Sequence, residues 1–169
     1  QGYYLVNDSN SLPSWAQLTT ANNPSYTWAA STADGRALKK ASNPNDRIAA
    51  TWYTPQQNVA DSQFDINLNF TDGQTHKLAL YTIDWDNYNR SEIFEIVNTA
   101  TSAVLDTRNV SSFSGGIYVN WVVSGQITIR VKNATAASAH ALVSAVFLDS
   151  TTTNPTPTPT PGGNSASFV

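Results

Sequence analysis

Apolar and polar residues alternate along most of this chain, with the two-residue period of β-strands. Between Phe64 and Phe70 every second residue is apolar, and the residues between them are Asp or Asn. This pattern predicts a strand with one buried and one solvated face. From Leu78 to Ile83 both faces are largely apolar, which predicts a strand in the middle of a packed sheet.

A polar and aromatic loop, residues 84–91, follows this central strand, and a second alternating run covers residues 93–97. The two runs predict a central β-hairpin, and Asp72-Gly73 predicts a hairpin turn before it. Other short runs with strand character cover residues 2–6, 26–30, 47–53, 104–110, 117–123, 127–131 and 142–148. Turn-forming Gly, Pro, Asn and Asp separate these runs, and no helix of ordinary length is predicted. The expected fold class is therefore all-β, an antiparallel β-sandwich compatible with a jelly roll.

The C-terminal residues have a different composition. Residues 150–164 read STTTNPTPTPTPGGN, and alternating Pro predicts an extended linker because Pro cannot continue a helix or a sheet ladder. SASFV follows, with Ala166 and Phe168 on one face of a predicted terminal strand. We therefore divide the chain into a sandwich domain (1–149), a linker (150–164) and a terminal strand (165–169).

Composition narrows the classes of function. The net charge is -3 and the pI is near 5.1, so no basic surplus is present to bind nucleic acid. No apolar run reaches the ~20 residues that span a bilayer. Charged residues make up 12% of the chain and Cys is absent. These features favour a secreted, extracellular β-protein held together by packing. The start at Gln1 without Met is typical of a processed product or an excised segment.

Catalytic and metal motifs are not found in the sequence. The carboxylates lack the spacing of a catalytic pair, and His76 and His140 lack companion ligands, so we predict neither an enzyme nor a metal or cofactor site. Asp84-x-Asp86 begins like the calcium loop of an EF-hand. However, Tyr88 stands where an EF-hand has a ligand, and Asn89 stands where it has Gly, so we do not predict an EF-hand. A structural Ca²⁺ of another kind stays open.

The loop after the central strand is the candidate for sugar binding, because a pyranose ring requires an aromatic face beside planar hydrogen-bonding groups. In the alternative, Trp85 closes the end of the sandwich and Arg90 pairs with Asp84 or Glu92. The candidate sugar-binding residues are Trp85, Asp86, Asn87, Tyr88 and Arg90. Trp28, Trp52 and Trp121 are expected to pack in the core, and Tyr53 is open to either role.

Three segments carry a resemblance to a known group: YTWAASTADGRALKKASNPNDRIAATWY, LYTIDWDNYNRSE and SFSGGIYVNW. They resemble bacterial extracellular modules of the galactose-binding-like jelly-roll type, found as non-catalytic parts of secreted glycoside hydrolases and surface proteins. The resemblance covers about residues 2–149. In that group a strand similar to SASFV stands at the start of the module, whereas here it stands at the C-terminus.

This departure predicts a sandwich with a vacant edge, and such an edge favours strand addition. The donor strand would be Ser165, Ala166, Ser167, Phe168 and Val169. Donation to the next copy is head-to-tail and does not close, so it would build a filament or tandem array. Our first hypothesis is a structural module whose partners are copies of itself or a neighbouring repeat. The alternative is a carbohydrate-binding module of a secreted glycoside hydrolase or surface protein, with glycans as partners.

Overall fold

The computed structural model describes residues 1–151, which form fourteen β-strands. The predicted linker beyond Thr151 and the terminal strand at residues 165–169 lie outside the described residues. The strands are β1 (Gly2–Leu5), β2 (Asn10–Ser11), β3 (Ala16–Ala21), β4 (Ser25–Thr32), β5 (Leu38–Lys39), β6 (Arg47–Tyr53), β7 (Gln63–Phe70), β8 (Thr75–Thr82), β9 (Ser91–Asn98), β10 (Val104–Ser111), β11 (Ile117–Ser124), β12 (Gln126–Asn133), β13 (Leu142–Val143) and β14 (Ala145–Ser150).

The strands form three sheets, and all strand pairs are antiparallel. The first sheet has the order β11-β8-β14-β1-β2, and the second has the order β10-β9-β12-β7-β3. A small sheet has the order β13-β6-β4, with β5 also paired to β6. The predicted fold class, an all-β antiparallel sandwich of jelly-roll type, is confirmed. No helix in residues 1–151 is long and apolar enough to cross a membrane.

The core lies between the inner faces of the two five-stranded sheets. Leu78 and Leu80 from β8 pack in the same cluster as Phe64, Phe94 and Ile129 from the second sheet. Every second residue of β7 is buried from Phe64 to Phe70, as the alternation predicts. Burying one such side chain contributes about 1.5–3 kcal/mol, so the paired faces hold the sandwich together without disulfides.

The predicted central hairpin is wrong, and so is the hairpin predicted before it. β8 belongs to the first sheet, whereas β7 and β9 belong to the second. Gly73 has the positive φ of 69° that its turn requires, so the chain does reverse there. Turn residues specify a reversal but not pairing. β8 instead pairs with β11 and β14, and the loop after it crosses between the two sheets.

Candidate functional site

Asp84 organises the crossing loop. Its carboxylate is buried and accepts hydrogen bonds from the backbone N–H of Tyr88 and of Arg90, both at 3.1 Å. Asn87 and Asn89 both have φ of 55°, a left-handed conformation that Asn tolerates better than most residues. Asp84 therefore caps the turn, and the loop is fixed by its own hydrogen bonds.

Arg90 is held between two carboxylates. Its side chain is only 7% exposed, and its Nη1 donates to both Asp84 and Asp86. Burial opposes the charged form of Arg90, but the two carboxylates outweigh it, so the pKa of Arg90 is raised. Burial also opposes ionisation of Asp86, but its hydrogen bonds with Arg90 outweigh that and lower the pKa of Asp86. Asp86 and Arg90 therefore form an ion pair in which both side chains are charged and fixed in place.

Aromatic side chains lie beside the Asp86–Arg90 ion pair and line a cavity with it. A cavity of about 300 Å³ is lined by Tyr26, Trp28, Thr51, Tyr53, Asp86, Arg90, His140 and Leu142; we call it the aromatic pocket. Tyr26 and Trp28 stand two apart on β4, and their rings meet edge to face at 5.9 Å. The Trp28 Nε1–H donates to Asp86 at 3.4 Å. The small sheet and the crossing loop therefore build the aromatic pocket together.

His140 forms part of the opposite wall. Its ring meets Tyr53 edge to face at 4.9 Å, and its Nδ1 lies 2.7 Å from the carbonyl oxygen of Thr54. Since a carbonyl can only accept, Nδ1 is the donor, which leaves Nε2 of the neutral ring as an acceptor. Burial lowers the pKa of His140, so the neutral form is favoured at neutral pH.

The structure brings only some of the predicted sugar-binding residues together. Asp86 and Arg90 line the aromatic pocket, whereas Trp85, Asn87 and Tyr88 do not. The guanidinium of Arg36 lies over the Trp85 ring at 4.4 Å, and Trp85 packs on a separate apolar cluster. Tyr88 is 62% exposed, with the Arg90 guanidinium 5.1 Å from its ring. The backbone N–H of Asn87 donates to the carbonyl of Asp84 at 3.2 Å.

Several pocket residues were not predicted from the sequence. Trp28 was expected in the core with Trp52 and Trp121; those two are buried, and Trp28 is half-buried, packs against the main core cluster and also lines the aromatic pocket. Tyr26 was likewise not predicted, and Tyr53, which was open to either role, also lines the aromatic pocket. The spacing Tyr26-x-Trp28 places two aromatic rings on one strand face, and this was the signal available in the sequence.

Among residues 1–151, no group of three or more His, Asp or Glu side chains could hold a metal ion. Glu95, the twelfth residue of the calcium-like spacing, instead pairs with Lys132 at 2.7 Å and Arg130 at 3.2 Å. Burial acts to raise the pKa of Glu95, but the hydrogen bonds and charges of Lys132 and Arg130 outweigh it, so the pKa is lowered. Glu95 is therefore engaged in ion pairs, and a structural Ca²⁺ of another kind stays a prediction.

No protein-family model matches the chain, and no curated protein matches it. Solved structures with similarity include a family 35 carbohydrate-binding module from Clostridium thermocellum, with TM-score 0.45 and 10% identity over 79% of this chain and 92% of that chain. A carbohydrate-binding module from Cellvibrio mixtus lichenase 5A, in complex with cellotriose, has TM-score 0.43 and 9% identity over 79% and 91%. A family 32 module from C. perfringens, in complex with galactose, has TM-score 0.42 and 9% identity over 80% and 95%.

Proposed function

We propose that this protein is a non-catalytic carbohydrate-binding module and that the aromatic pocket is its binding site. One observation carries the proposal: exposed and half-buried aromatic rings converge with an ionised Asp86–Arg90 pair in a single concave site. Sugars present apolar C–H faces and a rim of hydroxyl groups. Aromatic rings pack against the former, and charged planar groups hydrogen-bond the latter.

The size of the aromatic pocket limits the ligand. Its volume of about 300 Å³ is at the lower end of the roughly 300–1,000 Å³ typical of small-molecule sites. One or two sugar units fit such a space. A longer glycan would continue over Tyr26, which is 55% exposed and stands at the mouth of the pocket.

The polar groups of the aromatic pocket are positioned before any ligand arrives. Arg90 is fixed by Asp84 and Asp86, and Asp86 also accepts from Trp28. Fixed groups lose little conformational entropy on binding, and that loss is a main cost of association. The arrangement therefore suits recognition of hydroxyl groups at fixed positions.

The same chemistry favours binding over hydrolysis. Glycoside hydrolysis ordinarily uses two carboxyl groups, one of them protonated to donate to the leaving oxygen. Asp86 is the one carboxylate that lines the aromatic pocket within residues 1–151, and its pKa is lowered by Arg90 despite its burial. Asp86 is thus a hydrogen-bond acceptor in this site and a poor general acid.

Titration with glycans tests the proposal. A glycan array identifies a ligand, and calorimetry then compares Tyr26→Ala with Tyr88→Ala. Both residues are exposed tyrosines, at 55% and 62%, but only Tyr26 lines the aromatic pocket. We expect Tyr26→Ala to weaken binding roughly tenfold and Tyr88→Ala to leave it nearly unchanged. Equal effects of the two variants, or the absence of any glycan ligand, would refute the proposal.

Self-assembly by strand donation stays a prediction. The donor strand at residues 165–169 lies outside the described residues. Removing residues 165–169 and imaging the protein by electron microscopy tests this hypothesis separately, because the aromatic pocket does not include these residues. An extracellular location likewise stays a prediction, and a glycan ligand would be consistent with it.

A further inference from the structure

A second concave surface lies on the outer face of the first sheet. Tyr3, Phe147 and Tyr118 project from β1, β14 and β11, and the Tyr118 and Phe147 ring centroids are 6.0 Å apart. These rings line a cavity of about 580 Å³ together with residues 35–39, Ala41, Arg47, Gly115 and Gly116. We call it the basic groove.

The walls of the basic groove carry two cations without acidic partners. Lys39 and Arg47 are direct cross-strand partners between β5 and β6, and both line the groove. The Arg47 side chain donates to the backbone carbonyls of Ala37 at 2.6 Å and Gly35 at 3.4 Å. Within the described part of the chain neither Lys39 nor Arg47 forms a salt bridge, although the pKa of Asp34 is lowered by its hydrogen bonds with Arg36 and also by the charge of Arg47.

This pairing of cations is unfavourable for the free protein. Like charges directly opposite each other on neighbouring strands destabilise a sheet. The chain carries 12 acidic against 9 basic residues, so acidic residues are in surplus, yet no acidic residue among residues 1–151 lines the basic groove. A ligand that supplies negative charge would relieve the repulsion between Lys39 and Arg47.

A third cation stiffens the same wall. Arg36 lines the groove, pairs with Asp34 at 2.8 Å and donates to the Ser114 carbonyl at 2.9 Å. Its guanidinium also lies over the Trp85 ring at 4.4 Å. Trp85 therefore supports the wall of the basic groove, so the groove is held by a packed aromatic ring as well as by hydrogen bonds.

The shape of the surface indicates a polymer. The basic groove shares Tyr3 and Phe147 with a neighbouring cavity of about 970 Å³ that continues along the same sheet face. Tyr118 is 55% exposed on the groove floor and offers a ring face to an apolar surface. Two cations are few for a nucleic acid, which is bound through many contacts with its phosphates.

We propose that the basic groove binds an anionic polysaccharide: Lys39 and Arg47 contact its carboxylate or sulfate groups, and Tyr118 packs against a sugar ring. This site is distinct from the aromatic pocket, with which it shares no lining residue. The two proposals can therefore fail separately. Local positive charge in an acidic protein would select anionic sugars at the groove and leave neutral sugars to the pocket.

The test is affinity electrophoresis and calorimetry of the full chain with three polymers: polygalacturonate, heparin and neutral dextran. We expect binding to one or both anionic polymers and not to dextran, with affinity that falls as salt rises. Polygalacturonate alone would identify a carboxylate ligand, and heparin alone a sulfate ligand; either result supports the proposal. No binding to either polymer at low salt would overturn it.

Variants locate the site. Lys39→Gln should weaken binding several-fold and Lys39→Gln with Arg47→Gln roughly tenfold or more. Arg130→Gln with Lys132→Gln is the matched control, since it removes the same net charge from the second sheet. Tyr118→Ala should weaken polysaccharide binding but not the binding of polyglutamate, which has charge without sugar rings. An equal loss in the control pair, or polyglutamate binding as tightly as the polysaccharide, would overturn the proposal.

Discussion

Glu92 provides the most quantitative prediction, because it is an acid buried completely within the sandwich. Its exposed fraction is 0%, and its Oε2 accepts from the backbone N–H of Leu142 at 2.6 Å. Burial raises the pKa of Glu92 to about 8, although the hydrogen bond from the Leu142 N–H and the charge of Arg90 act in the opposite direction. Glu92 is therefore neutral at pH 7 in the folded protein.

The sign of the effect on stability follows from proton binding. Between the unfolded pKa of about 4.5 and the folded pKa of about 8, the folded state holds a proton on Glu92 that the unfolded state has released. Stability contributed by this protonated group therefore falls as pH rises through this window. The difference of about 3.5 pKa units corresponds to roughly 5 kcal/mol as an upper limit.

Urea unfolding at pH values from about 5 to 9 measures this dependence. Glu92→Gln is the matched variant, because Gln keeps an acceptor for the Leu142 N–H and cannot ionise. We expect the free energy of unfolding of the wild type to fall by several kcal/mol across the window, and the fall to be absent in Glu92→Gln.

His140 titrates nearby in the opposite sense. Its pKa is lowered by burial, so its contribution is lost as pH falls through the range where His is protonated. The wild type and Glu92→Gln both contain His140. The difference between their free energies of unfolding at each pH therefore reports the contribution of Glu92 alone. If Glu92→Gln showed the same decline as the wild type, the buried neutral acid would be refuted.

Further predictions concern the crossing loop and a turn. Asp84→Asn should lower the free energy of unfolding by about 3 kcal/mol, because it leaves Arg90 buried with one carboxylate fewer; no change in urea unfolding would contradict this. Gly116→Ala should destabilise the protein by roughly 2 to 4 kcal/mol, since φ is 77° and a Cβ there would overlap the Tyr81 hydroxyl. Gly35→Ala is its control, with no atom within 4 Å of the added Cβ, and equal melting temperatures of the two variants would contradict the assignment.

Local patterns predicted the strands better than their partners. The alternation of apolar and polar residues in β7 predicted its buried face correctly. This pattern depends only on residues that are neighbours in sequence, because successive side chains of a strand point to opposite faces. Pairing depends on distant residues: β8, with two largely apolar faces, lies between β11 and β14 rather than beside β9. Turn residues after β7 specified a reversal and left the choice of sheet open.

The candidate site shows the same limit. Asp86 and Arg90 could be selected from the loop sequence, because an acidic and a basic residue four apart in a polar turn are a local signal. The aromatic half of the pocket comes from β4 and β6, and His140 lies just before β13. Only the pairing of these strands in the small sheet brings the residues to one cavity, and no local pattern contains that information.

The indole Nε1–H of Trp28 is the most direct probe of glycan binding in the aromatic pocket, because it donates to Asp86 there. The indole signals of ¹⁵N-labelled protein can be followed by NMR while a glycan that binds on the array is added. We predict that the Trp28 signal shifts and saturates with the glycan, while the signals of the core residues Trp52 and Trp121 stay in place. Saturable glycan binding that leaves the Trp28 signal unmoved would contradict this prediction.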